Sequence, residues 1–154
     1  MRLKDKVAII TGGSRGIGFA AAEKFLEEGA SVIITASSQA TAEGAVSKLK
    51  EKYPEAAVAG IWPNLASLES VRAAFREVEE RFGGVDILVN NAGVSESTPF
   101  AEYTEEIFNK VMDLNVKGVF HASRAVVESM IKRGGGVILS TSSMVSISGQ
   151  PSGF

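Results

Sequence analysis

Short apolar runs rich in β-branched residues alternate with longer stretches of helical periodicity along almost the whole chain. The runs fall at 7–10, 32–35, 57–61, 85–89 and 137–140, and most are continuously apolar instead of alternating with polar positions. That is the pattern of strands covered on both faces, as in a parallel sheet. Between them, Ile17, Ala21 and Phe25 share one helical face, as do Ala42, Val46, Leu49 and Tyr53. The third connector is sharpest: Leu68, Val71, Phe75, Val78 and Phe82 step by three and four, with Arg72, Arg76, Glu79 and Glu80 on the other side. A long fourth helix is predicted over 104–133, with Glu105 and Glu106 in its first turn and an apolar stripe of Ile107, Val111, Leu114, Gly118, Ala122, Ala125 and Met130. Gly134, Gly135 and Gly136 end it. Five strands and four helices in strict alternation predict an α/β fold: one doubly wound parallel sheet with helices on both faces, a single domain over 1–154 with no linker or repeat.

Ligands of such sheets lie beyond the carboxyl ends of the strands, so chemistry is sought there. The first strand runs into Thr11-Gly12-Gly13-Ser14-Arg15-Gly16-Ile17-Gly18 and then directly into a helix. In that context Gly12 makes a tight turn, Gly16 lets backbone approach a pyrophosphate, and Gly18 lets the helix pack closely. The free N–H groups and positive end of the helix then face phosphates. A glycine-rich turn without a ligand is the plainer alternative. NAD-preferring folds usually carry an acidic residue at the end of the second strand, but the chain has none between Glu28 and Glu43, where Thr35-Ala36-Ser37-Ser38 stands instead. With no carboxylate to repel a 2′-phosphate and Arg15 available as a forked cation, the residues favour NADP(H) over NAD(H). Alternatively, Arg15 only solvates a surface loop.

Composition narrows the classes. Sixteen Lys and Arg against 18 Asp and Glu give a net charge of -2, which argues against nucleic acid as a partner. The absence of cysteine excludes a disulfide framework, a thiolate metal site and a catalytic thiol. No metal site is expected. The N-terminal apolar run of four residues is too short for a signal peptide, and nothing approaches the roughly 18 apolar residues of a membrane helix, so a cytoplasmic location and no membrane partner are expected.

Two further features carry candidate chemistry. Asn115 lies on the apolar stripe of the long helix, where a buried amide is costly unless its hydrogen bonds are met. It is either a satisfied core residue or a functional one. Ser140, Thr141, Ser142, Ser143 and Ser146 cluster at the end of the fifth strand, where hydroxyls either bind a substrate carbonyl or bond to their own backbone. His121, with no ligand-type neighbour at metal spacing, reads as a surface or packing residue, and Trp62 as packing.

Taken in order, the glycine loop, Asn90-Asn91-Ala92-Gly93 after the fourth strand, Asn115 and Ser142-Ser143 closely resemble the short-chain dehydrogenase/reductase family. The resemblance covers the chain from the first strand onward, and the loop together with Glu27-Glu28-Gly29-Ala30 is most similar to bacterial 3-oxoacyl-carrier-protein reductases. It implies a Rossmann-type fold and hydride transfer between a nicotinamide and a small-molecule ketone or secondary alcohol. A nucleotide-binding module without catalysis is the alternative. Carried onto this sequence, Ser14, Arg15 and Ile17 line the pyrophosphate and adenosine side, and Ser37 meets the 2′-phosphate. Asn64, at a position where the family usually has Asp, and Leu65 contact the adenine; Asn91, Ala92 and Gly93 border the ribose. Asn115 belongs to a catalytic Asn-Ser-Tyr-Lys set, with Ser143 as its Ser and Ser142 as runner-up.

The resemblance also implies a Tyr-x-x-x-Lys proton donor, which these 154 residues do not contain: neither Tyr53 nor Tyr103 has Lys at the fourth following position. Family spacing puts that Tyr just past Phe154. These residues are therefore expected to hold cofactor but not turn over substrate, and to leave exposed an apolar surface meant for a following helix. The resemblance implies that substrate choice lies in a lid these residues do not include and in 94–100, and that a homodimer or tetramer associates through the face carrying Ala122, Val126 and Met130.

Overall fold

A computed structural model describes residues 1–148; positions 149–154, and with them the region bordering the expected Tyr, lie outside the described residues. The elements are β1 (Val7–Ile10), α1 (Gly16–Glu27), β2 (Ser31–Thr35), α2 (Gln39–Lys52), β3 (Val58–Ile61), α3 (Leu68–Phe82), β4 (Ile87–Asn90), α4 (Glu105–Met112), α5 (Gly118–Lys132) and β5 (Val137–Ser140). All five strands are parallel, in the spatial order β3-β2-β1-β4-β5. The order reverses between β1 and β4, which opens a crevice at their carboxyl ends.

Alternate strand residues feed two cores. Val7, Ile9, Ile33 and Leu88 pack under α3 and α5 through Val71, Phe75, Val78, Ala122, Val126 and Met130. Ile10, Val32, Ile34 and Val58 pack under α1 and α2 through Ala22, Leu26, Ala45 and Leu49. Strands covered on both faces explain the continuous apolar runs of β1 and β2. The outermost strand differs. β5 is exposed along its length, with Val137 and Leu139 each 50% accessible.

Four expectations are corrected. The single helix over 104–133 is interrupted: a π-helical turn, Asp113–Lys117, joins α4 to α5, and the Gly118 N–H bonds to the Asp113 carbonyl five residues back. The extra residue lets Asn115 leave the regular helical ladder. On α1 the buried line is Gly18, Ala22 and Leu26, and Ile17 points outward at 74% exposure, because the close seat of Gly18 on the preceding loop sets the helix rotation. On α5 the line Ala122, Val126 and Met130 is buried in the chain's own core and so is not available for association; Phe120 and Ile131 are its exposed apolar residues. Trp62 is 47% exposed, more open than a packing role implies.

Candidate functional site at the switch between β1 and β4

The loop after β1 is fixed from both sides. The Gly12 N–H donates to Thr35 Oγ1 at 3.1 Å and the Gly13 N–H to the Thr35 carbonyl at 3.1 Å, which ties the loop to the end of β2. On the other side, buried Thr11 accepts from the N–H groups of Asn91 and Ala92 at 3.0 Å each, while its hydroxyl donates to the Val89 carbonyl at 3.4 Å. The Asn91 side-chain amide donates to the Thr11 carbonyl at 3.2 Å and the Gly12 carbonyl at 3.4 Å. The predicted group Gly12, Gly18, Asn91 and Ala92 is thus one contiguous unit. Thr11 and Thr35 hold it together, and sequence reasoning missed both; a buried hydroxyl at each of two adjacent strand ends was the available signal.

The first turn of α1 stands out against its fellows. Ser38, Ser67 and Thr104 cap α2, α3 and α4 with side-chain oxygens that accept from Thr41, Ser70 and Ile107 N–H groups. At the same position α1 has Arg15, with no side-chain cap. Its leading N–H groups therefore have no partner within the helix and face outward with the positive end of the dipole. Gly16 sits there at φ +57° with nothing within 4 Å of where a Cβ would stand. A left-handed residue beside open space and unpaired donors fits the phosphates of a dinucleotide. Arg15, in the loop, and Ser37, just past the end of β2, are both exposed.

The segment after β3 is shaped by its own side chains. Asn64 Oδ1 accepts from the Ala66 N–H at 3.0 Å, and the Asn64 N–H donates to Ser70 Oγ at 2.9 Å. Leu65 packs against the first core beside Gly118 of α5. His121 Nδ1 meets the Leu65 carbonyl at 2.8 Å. His121 thus has a specific partner that the sequence did not suggest.

Asn115 is half-buried, and its amide is taken up by one backbone residue: Oδ1 accepts from the Val94 N–H and Nδ2 donates to the Val94 carbonyl, both at 2.8 Å. Its Oδ1 also lies 3.3 Å from where a Cβ of Gly93 would stand. Asn115 therefore anchors the strand-end segment that carries Ala92 and Gly93. An ion pair between Lys110 and Glu96 holds the next stretch to α4, and the Glu96 carboxylate pushes the Lys110 amine above the ordinary lysine range.

Beyond β5, the Thr141 N–H donates to the Asn90 carbonyl at 2.9 Å, so the serine cluster begins beside the end of β4. Asn90, buried and absent from the sequence-derived site, donates to Ser123 and Ser140 hydroxyls at 3.1 and 3.4 Å. Ser143 caps a short turn, Met144–Ser146, accepting from the Val145 N–H at 3.4 Å. Ser142 and Ser146 share a hydroxyl contact at 3.3 Å. Among the described residues no cluster of His, Asp or Glu could hold a metal ion, and no helix is long and apolar enough to cross a membrane.

The comparisons with known proteins agree with this geometry. The chain is 56% identical over 99% of its length to a 3α-hydroxysteroid dehydrogenase of Mediterraneibacter gnavus, and 38% identical over 97% to a 3-oxoacyl-(acyl-carrier-protein) reductase of Vibrio cholerae. It spans 61% and 59% of those proteins, respectively. The crystal structure of an NAD+-bound xylitol dehydrogenase superposes with a TM-score of 0.92 at 31% identity, over 99% of this chain and 58% of that one. The family model described as short chain dehydrogenase matches residues 6–154, and the chain belongs to that family of NAD(P)-dependent oxidoreductases.

Proposed function

We propose that these residues form the cofactor-holding part of an NADP(H)-dependent oxidoreductase acting on a ketone or secondary alcohol. The observation that carries the reading is the uncapped first turn of α1 beside Gly16, with nothing within 4 Å of the Gly16 Cβ position, in a loop that Gly12 and Gly13 tie to Thr35 at the end of β2. When bound, the nicotinamide supplies or accepts the hydride. Gly16 lets the backbone approach the pyrophosphate, with Ser14, Arg15 and Ile17 along it, while Gly12 makes the turn and Gly18 seats the helix against it; Asn91, Ala92 and Gly93 border the ribose; Asn64 and Leu65 face the adenine. Preference for the 2′-phosphate rests on the end of β2, where Ser37 replaces a carboxylate and Thr35 fastens the Arg15 loop alongside.

Ser143 is assigned the polarising role. Its oxygen accepts from a backbone N–H, which leaves the hydroxyl proton to donate to a substrate carbonyl, whereas Ser142 is engaged with Ser146. Asn115 acts by holding Val94 in place. The names of the two relatives share an oxo or hydroxy carbon as the reacting centre, which supports the substrate class without choosing between steroid and acyl thioester. Proton donation is not assigned to either tyrosine here: Tyr53, on the far end of α2, donates to Glu27 at 2.7 Å. These 154 residues are accordingly proposed to bind cofactor without turnover. A cytoplasmic protein that associates as a dimer or tetramer completes the reading, with Phe120 and Ile131 of α5 as exposed apolar surface.

Cofactor preference is checked by titrating the protein with NADPH and NADH. Tighter binding of NADPH by about tenfold or more is expected, and Arg15→Ala should erase most of that ratio, as loss of one charge-assisted contact of about 1.5 kcal/mol implies. Equal dissociation constants, unaltered by the substitution, would contradict the assignment.

A further inference from the structure

We infer that His121 is a positioning residue for the adenine-side loop: its Nδ1 holds the Leu65 carbonyl and so sets the surface that Asn64 and Leu65 offer a dinucleotide. The inference rests on the cofactor reading above. Within 62–67 most fixed contacts are local. Asn64 folds back on Ala66, the Ser67 N–H donates to the Asn64 carbonyl at 3.0 Å, and Ser70 accepts from Asn64 from the first turn of α3. These contacts shape the loop but do not locate it against α5, whose preceding π turn anchors another part of the crevice through Asn115 and Val94. Two contacts do so. Leu65 lies against Gly118, and one turn further on, His121 reaches the Leu65 carbonyl at 2.8 Å.

Leu65's carbonyl can only accept, so the bond requires the proton on Nδ1. That geometry makes a specific prediction about replacements. The amide nitrogen of Asn can occupy the place of a histidine Nδ1, whereas that of Gln reaches the place of Nε2. A merely space-filling role would rank replacements by volume and would favour Gln or Leu over Asn.

The test is NADPH affinity, measured by titration, in His121→Asn, His121→Gln and His121→Leu, together with amide hydrogen exchange of the cofactor-free proteins at Ala66 and Ser67. His121→Asn is expected to bind within about twofold of the parent. His121→Gln and His121→Leu should bind about five- to tenfold more weakly, as loss of one hydrogen bond implies, and should exchange faster at Ala66 and Ser67. Equal affinity in all three variants, or Gln and Leu binding better than Asn, overturns the inference while leaving the cofactor reading in place. A parent protein that binds no dinucleotide overturns that reading, and the inference with it.

Discussion

Gly18→Ala is expected to lower the stability of the protein by about 3 kcal/mol and to abolish measurable dinucleotide binding. A Cβ at this position would stand 2.3 Å from the Gly12 carbonyl oxygen and 2.6 Å from the Asn91 amide nitrogen. Neither neighbour can yield easily, because Gly12 is tied to Thr35 and Asn91 is bonded to the Thr11 and Gly12 carbonyls. The helix would have to withdraw from the loop, taking its uncapped N-terminus away from the phosphate position. Against a typical total stability of about 5–15 kcal/mol the cost is large. Gly16→Ala supplies the contrast. Its Cβ would meet nothing within 4 Å, so only the left-handed backbone is penalised, by about 1–2 kcal/mol. Urea unfolding of both variants measures the difference. A Gly18→Ala protein within about 0.5 kcal/mol of the parent would show that the contact is not tight in solution.

Thr11→Val is the second large effect. The replacement keeps the shape of the side chain and removes the acceptor used by two backbone N–H groups, those of Asn91 and Ala92. Stranding a donor away from water costs about 1–3 kcal/mol, so the pair implies a loss of about 3 kcal/mol in total. For a chain of this size that corresponds to a fall in Tm of roughly 6–12 °C. Thr11→Ser keeps the hydroxyl and gives up one methyl, a loss of about 1 kcal/mol. Thermal unfolding of the two variants separates these cases, and equal Tm values for Val and Ser would show that the hydroxyl does not carry the junction between the β1 and β4 loops.

Much of the fold was legible because its strands are buried on both faces and its helices are amphipathic. The runs at 7–10 and 137–140 coincide with β1 and β5, and the stripe Val71, Phe75, Val78 is the buried face of α3. The π turn was not legible, because a one-residue insertion in a helix leaves apolar spacing nearly unchanged while redirecting Asn115 toward Val94. The place of Ile17 on α1 was misread for a related reason, although Ala21 and Phe25 do pack against the second core. Periodicity placed Ile17 inward, but the contact that sets the rotation is made by Gly18, which has no side chain to register in a hydrophobic pattern.

The candidate site was legible where glycine or asparagine stood in a recognisable order and illegible where tertiary hydrogen bonds do the work. Thr11, Thr35, Asn90 and His121 each act through partners far away in sequence: Ala92 lies 81 residues from Thr11, and Leu65 lies 56 from His121. Spacing along the chain carries no trace of such pairs. The missing cap of α1, by contrast, was written in the sequence, since Arg15 stands where Ser38, Ser67 and Thr104 begin α2, α3 and α4.

The most direct test of the central claim is an NADPH titration of the protein followed by backbone amide NMR shifts. Saturable shifts are predicted at 12–17, at Leu65 and at Ala92 and Gly93, with smaller ones along β5 and α3. Shifts that never saturate, or that centre away from the ends of β1 and β4, would contradict the account.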